Sequence, residues 1–350
     1  MTTEYPEHLL ERPTPEVFHE FAQIQRRAEA DPLESGYQVD WTGPQLEDGT
    51  LPPTDYPHSR SPSPNPLRPF HSILVDPQVG PSASPWRLAL VEALQSGVDQ
   101  WSQVWRARAT AGGNNAQAFP VVLKLYHQAL FPPPELQDSR PEYDSWNWVS
   151  ATYKQEREAL VYRCARDSQG SDIPICYGFY RFSLPSGGEV VGVVLEDLVE
   201  VGRGISLREF LFREARANRM SAEHFNIIAC EALQMQNRFH VLGLAETSCY
   251  MDNFLYLRAS SSSSSVTLIG IGFGKSMSKE RNLLSFAADY KERGLSDDFW
   301  CQDEQYRLFM ALKRSLWEWE SDIGKHNVAV EWADNEDEKE TLTFLKRPWC

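Results

Sequence analysis

Residues 266–276 read VTLIGIGFGKS, and how this stretch is read decides which fold the chain is expected to take. One reading is a phosphate-cradling loop, a Gly-rich turn ending in Gly-Lys-Ser whose bare amides face phosphate. That motif needs Gly, four residues, then Gly-Lys-Ser, and counting back from Gly274-Lys275-Ser276 lands on Ile269. Only about 75 residues follow, with little sign of the further strands that a sheet built around such a loop requires. The other reading is the end of a β-strand, VTLIG, paired as a hairpin with NFLYL at 253–257 around the serine run at 260–265. The rest of the chain favours the hairpin.

Composition limits the classes available. The 350 residues are 41% apolar, enough for one large domain or two lobes with a real core. The formal net charge of −15 argues against nonspecific binding to nucleic acid or to an anionic membrane, since both need clustered Lys and Arg. Six scattered cysteines show neither CxxC spacing nor a close pairing with His, so reduced thiols are expected in place of a zinc site. The N-terminus lacks a basic-then-apolar leader, and no run of about 18 apolar residues occurs. A cytoplasmic or nuclear location is expected.

Residues 1–83 are rich in Pro, Ser and Asp and read as an extension, with one short helix at TPEVFHEFAQIQRRAEA where Thr14 caps and Pro15 opens the first turn. From Trp86 the pattern changes. WRLALVEAL, QVWRARA and AFPVVLKLYH read as three strands. A Pro-rich loop then leads to a helix over SWNWVSATYKQEREALVYRCARD, and IPICYGFYRF and GEVVGVVLEDLVE follow as two further strands. The second half reads as helical. SLREFLFREARANR opens with Ser206 and Glu209 in capping-box spacing. In the next helix Phe225, Ile228, Ala232, Met235, Phe239 and Leu242 form one apolar stripe. A last helix is expected over DEQYRLFMALKRSLWEWESDIG, ahead of an acidic tail at 331–350.

Five strands with a helix after the third, then a helical half with a small hairpin, resemble the protein-kinase-like fold. VVLK at Val121–Lys124 resembles the third-strand motif whose Lys reaches the α- and β-phosphates of ATP. The stretch 97–104 resembles the first hairpin, but of its glycines only Gly97 remains, with Asp99 and Ser102 at the other two positions. Glu158 is the expected partner of Lys124, with Glu156 as the alternative. VVLEDL resembles the strand entering the hinge, which implies that backbone groups of Glu196 and Leu198 face an adenine. SQVWRAR and VVLKLY also resemble segments of a fungal group of protein-kinase-like sequences.

In that family a His-x-Asp pair precedes an Asn by five residues from the Asp, and a strand begins at once. Asn253 followed by FLYL supplies the Asn and the strand, which puts Ser248 at the catalytic Asp and Glu246 at the His. The family's metal-binding Asp then falls on Gly270. The resemblance therefore implies an α+β, two-lobed fold. Its five-stranded antiparallel sheet plus one helix would occupy 84–200, and a mostly helical, shortened second lobe would occupy 201–330.

It also implies ATP as cofactor, contacted at Gly97, Lys124, Glu158, Glu196, Leu198 and Asn253. No catalytic residue is assigned with the usual carboxylates missing. Asn253 alone is a poor magnesium site, because hard divalent cations prefer carboxylates. Losing both the general base and the metal ligand removes most of what accelerates phosphoryl transfer. The leading expectation is a pseudokinase-like protein that acts by binding a protein partner, with weak or metal-independent nucleotide binding. The alternative is an unconventional ATP-dependent phosphotransferase with Glu246 or Asp252 as a displaced carboxylate.

Overall fold

The computed structural model describes residues 15–41, 74, 86–111, 117–132, 150–185, 188–198, 204–217, 219, 222–242, 244–245, 251–257, 267–274 and 277–278. They fall into two compact units. The first runs to Ala159 and resumes over Ile175–Asp197, and the second holds Leu160–Pro174 and the chain from Leu198 on.

The first unit contains helix α1 (Pro15–Ala30) and strands β1 (Gln38–Trp41), β2 (Trp86–Gln95), β3 (Gln103–Ala111) and β4 (Ala118–Tyr126). Helix α2 (Ala151–Cys164), most of which lies in this unit, precedes β5 (Cys176–Ser183) and β6 (Glu189–Glu196). Alternation of apolar and polar residues makes β2 and β3 strands with one inward face, because successive side chains point to opposite sides. Trp86, Leu88 and Leu90 point in from β2, and Trp105, Ala107 and Ala109 from β3. β4 is buried on nearly every residue from Val121 to Tyr126, so both of its faces are covered.

All six strands are antiparallel and close into a barrel in the order β1-β2-β3-β4-β6-β5. β1 makes the closure. Its residues from Gln38 to Trp41 pair with Ala89 to Trp86 on one side, while Asp40 and Trp41 pair with Ser183 and Phe182 on the other. Val39 and Trp41 point into the core and Gln38 and Asp40 point out. Trp41 is 0% exposed and meets Trp86 and Tyr180 edge-on, at centroid distances of 6.1 and 4.8 Å.

This corrects the expected fold class. The expected five-stranded antiparallel sheet of a two-lobed protein-kinase-like fold gives way to a closed six-stranded barrel, and the described residues carry four α-helices. The sequence reading missed QVDW because four residues amid a Pro- and Ser-rich stretch give only two periods of alternation. Its strand character comes from two non-local partners.

In the second unit β7 (Ile205–Ser206) runs into α3 (Leu207–Arg216), where the Ser206 Oγ accepts the Glu209 N–H at 3.1 Å and caps the helix. Helix α4 (Ala222–Val241) buries Phe225, Ile228, Ala232, Met235 and Phe239, whereas Leu242, beyond its end, is 38% exposed. Strands β8 (Leu244–Ala245), β9 (Phe254–Leu257), β10 (Thr267–Gly270) and β11 (Met277–Ser278) complete it. β9 and β10 form the expected antiparallel hairpin, Phe254 opposite Gly270, and β7 adds to β9. The last expected helix and the acidic tail lie outside the described residues.

Two outcomes test this core. Trp41→Ala should lower the unfolding free energy by roughly 3–5 kcal/mol in urea titrations, the range for emptying an aromatic core site; a loss under about 1 kcal/mol would contradict a closing role for β1. The second concerns His127, just past β4. Its Nδ1 is buried with no hydrogen-bond partner among the described residues, and burial pushes its pKa down to about 4. The unfolded chain binds that proton near pH 6.5, so stability is complete above about 6.5 and falls as pH drops towards 4. His127→Gln should flatten the dependence of the urea midpoint on pH across that window, and an unchanged slope would exclude His127 as its source.

Candidate functional site

In the first unit the site is built on β4 and α2, and Gly97 lies in the turn between β2 and β3. Lys124 and Tyr126 are two apart on β4 and so share a face. Both reach the same atom. The Lys124 ammonium and the Tyr126 hydroxyl donate to Glu158 Oε2 from α2, Tyr126 at 2.6 Å. Of the two glutamates considered from sequence, Glu158 makes this pair; its side chain is 1% exposed and that of Lys124 11%. A buried carboxylate needs such partners, because desolvating an uncompensated charge costs several kcal/mol. Tyr126 escaped the sequence reading, though the alternation of β4 carries the signal.

The turn holding Gly97 differs from an open phosphate cradle. Gly97 has φ +101°, which glycine adopts without strain. Its N–H donates to Gln103 Oε1 and its C=O accepts from Gln103 Nε2, both at 2.8 Å. Asp99 follows at φ 59°. At the end of β6 the Glu196 N–H donates to the Ile175 C=O at 2.9 Å, and the Glu196 carboxylate accepts the Ile175 N–H at 3.0 Å. Next to it the buried Asp197 accepts from Arg106 Nε at 3.0 Å.

The second unit holds Leu198, Asn253 and Gly270. Leu198 packs with Leu257 and Ile269. The Asn253 C=O accepts the Ile271 N–H at 2.7 Å, and its Oδ1 lies so close over Gly272 that a Cβ there would come within 2.5 Å. Gly270 is fixed by its N–H, which donates to the Asp172 C=O at 2.7 Å. The Asp172 carboxylate is clasped by Arg238 through Nε and Nη2 at 3.0 and 3.1 Å, and Arg238 also holds Glu231. Phe239 and Phe273 meet edge-on above Gly270 at 5.7 Å. A Cβ on Gly270 would lie 3.1 Å from Phe239 and 3.2 Å from Phe273, so the packing leaves little room for a carboxylate. Glu246, Ser248 and Lys275 lie outside the described residues. Asp252, the other displaced carboxylate considered, is exposed and paired with Arg208 at 3.0 Å.

Among the described residues no group of three or more His, Cys, Asp or Glu is placed to hold a metal ion, and no helix is long and apolar enough to cross a membrane. No protein-family model matches the sequence, and no curated protein matches it. One solved structure similar to this chain is described as WaaP in complex with acyl carrier protein, at 12% identity over 74% of this chain and 87% of that one, with a TM-score of 0.39. At that level the likeness fixes neither fold nor activity.

The crowding at Gly270 is open to a direct check. Gly270→Asp should destabilise the protein by about 1–3 kcal/mol in urea unfolding, the cost of forcing atoms into a packed site. A variant as stable as the parent would show that the Phe239 and Phe273 rings yield freely.

Proposed function

We propose that this chain is a non-catalytic nucleotide-binding protein which, in the manner of a pseudokinase, works by engaging a protein partner in place of transferring phosphate. The observation that carries the proposal is the buried Lys124–Glu158 pair with Tyr126 as its third member. A lone ammonium held in one orientation by a buried carboxylate is a prepared contact for an anionic oxygen. A purely structural role would be served as well by apolar residues of similar volume, which often replace buried ion pairs without loss. Lys124, oriented by Glu158, is the candidate nucleotide contact of the first unit, with ATP as the ligand class, whereas the N–H groups of Gly97 and Glu196 are already hydrogen-bonded to Gln103 and Ile175.

Thermal melting with ATP, with and without magnesium, tests this. At about 100 times its dissociation constant ATP adds roughly 2.7 kcal/mol, a shift of a few degrees for a chain of this size. The shift is expected without magnesium, and it should disappear in Lys124→Met when that variant is compared with its own unliganded melt. A shift that requires magnesium, together with phosphate transfer to protein or small molecule, would sink the proposal. So would the same ATP shift in Lys124→Met as in the parent.

A further inference from the structure

We propose that α1 is a detachable brace for the Lys124–Glu158 pair, so that undocking this helix loosens α2 and opens the Lys124 ammonium to solvent. The connection runs through the segment just past β4, where the short 3-10 helix Gln128–Leu130 leads into Phe131. α1 packs against this segment with one face. Its Phe21 is 1% exposed, and Gln25, four residues on and so on the same side, donates from Nε2 to the Phe131 C=O at 3.3 Å.

The same segment holds the start of α2 by two routes. The Gln128 side-chain oxygen accepts the N–H of Ala151, the first residue of that helix. The Phe131 ring meets Trp101 edge-on at 5.4 Å, and the Lys154 ammonium lies over the other partner in that contact, 4.4 Å from the Trp101 centroid. The turn bearing Trp101 is tied in as well, because the Gln100 N–H donates to the Leu130 C=O at 3.2 Å. Lys154 stands one helical turn before Glu158. The carboxylate that orients Lys124 therefore hangs on a joint that α1 completes.

α1 is the part of this joint that yields. From His19 to its end only Phe21 is buried, and an element held by so few apolar contacts opens locally at low cost. Lys124 and Glu158 are both buried and neutralise each other, so a small displacement of α2 changes how readily water and reagents reach the ammonium. The coupling is reciprocal: whatever lifts α1 alters the pair, and whatever fastens the pair favours docked α1.

Hydrogen exchange and acetic anhydride labelling of the full chain, both read by mass spectrometry, test this in the parent and in Phe21→Asp. In the variant the amides of α1 and of residues 154–161 should exchange about tenfold faster or more, and acetylation of Lys124 should rise about threefold or more, while β3 keeps its protection. Release of α1 that leaves residues 154–161 and the Lys124 labelling rate at their parent values would overturn the proposal. A loss of protection in β3 as large as that in α2 would do so too, since it marks general unfolding. Gln25→Ala removes only the bond to Phe131 and should give the same pattern in smaller measure, which keeps the comparison available should Phe21→Asp fail to fold.

Discussion

The organisation of the first unit depends on keeping one carboxylate, Glu158, out of water. A charge buried to that degree is tolerable only when its lone pairs are filled, and the two donors that fill them both come from β4. This requirement fixes which face of α2 lies against the barrel. Neighbouring charges on the helix are accommodated in the same spirit: the Lys154 ammonium sits 4.4 Å over the Trp101 ring and the Arg157 guanidinium 4.5 Å over that of Tyr153. α2 therefore buries the charged Lys154, Arg157 and Glu158 alongside the apolar Ala159, Val161 and Tyr162.

That explains which parts of the structure could be read from sequence. β2, β3 and β4 carry long alternating or continuous apolar runs, and β9 with β10 are bounded by turn residues, so their existence was legible. The stripe on α4 was legible too, up to Leu242, where the helix has ended and the side chain turns outward. β1 was not, since four residues become a strand only when β2 and β5 supply partners far away in sequence. Lys124 and Glu158 were legible as a pair of residue types in plausible elements. The Gln103 clasp on Gly97 was not, because a buried glutamine in a strand looks the same in sequence as an exposed one.

In the second unit a position without a side chain, Gly270, is enclosed by the packing. Gly270 is a bare position in sequence, but in the structure its surroundings are filled. Phe239 comes from α4 and Phe273 from the turn after β10, while Asp172, clasped by Arg238, holds the Gly270 backbone. Tyr162 extends the ring contact, meeting Phe273 at 6.0 Å. A Cβ at this position would press on both rings, at 3.1 and 3.2 Å, so several residues together oppose a side chain there.

The closure made by β1 also bears on how the protein can be divided. A fragment starting at residue 84, where the composition suggests a boundary, would lack Gln38–Trp41 and leave β2 and β5 with unpaired backbone donors and acceptors. Exposed edges of that kind recruit strands from other molecules. Such a fragment would be prone to associate, and a second copy carrying the N-terminal segment could lend its own strand to the gap as a domain-swapped pair.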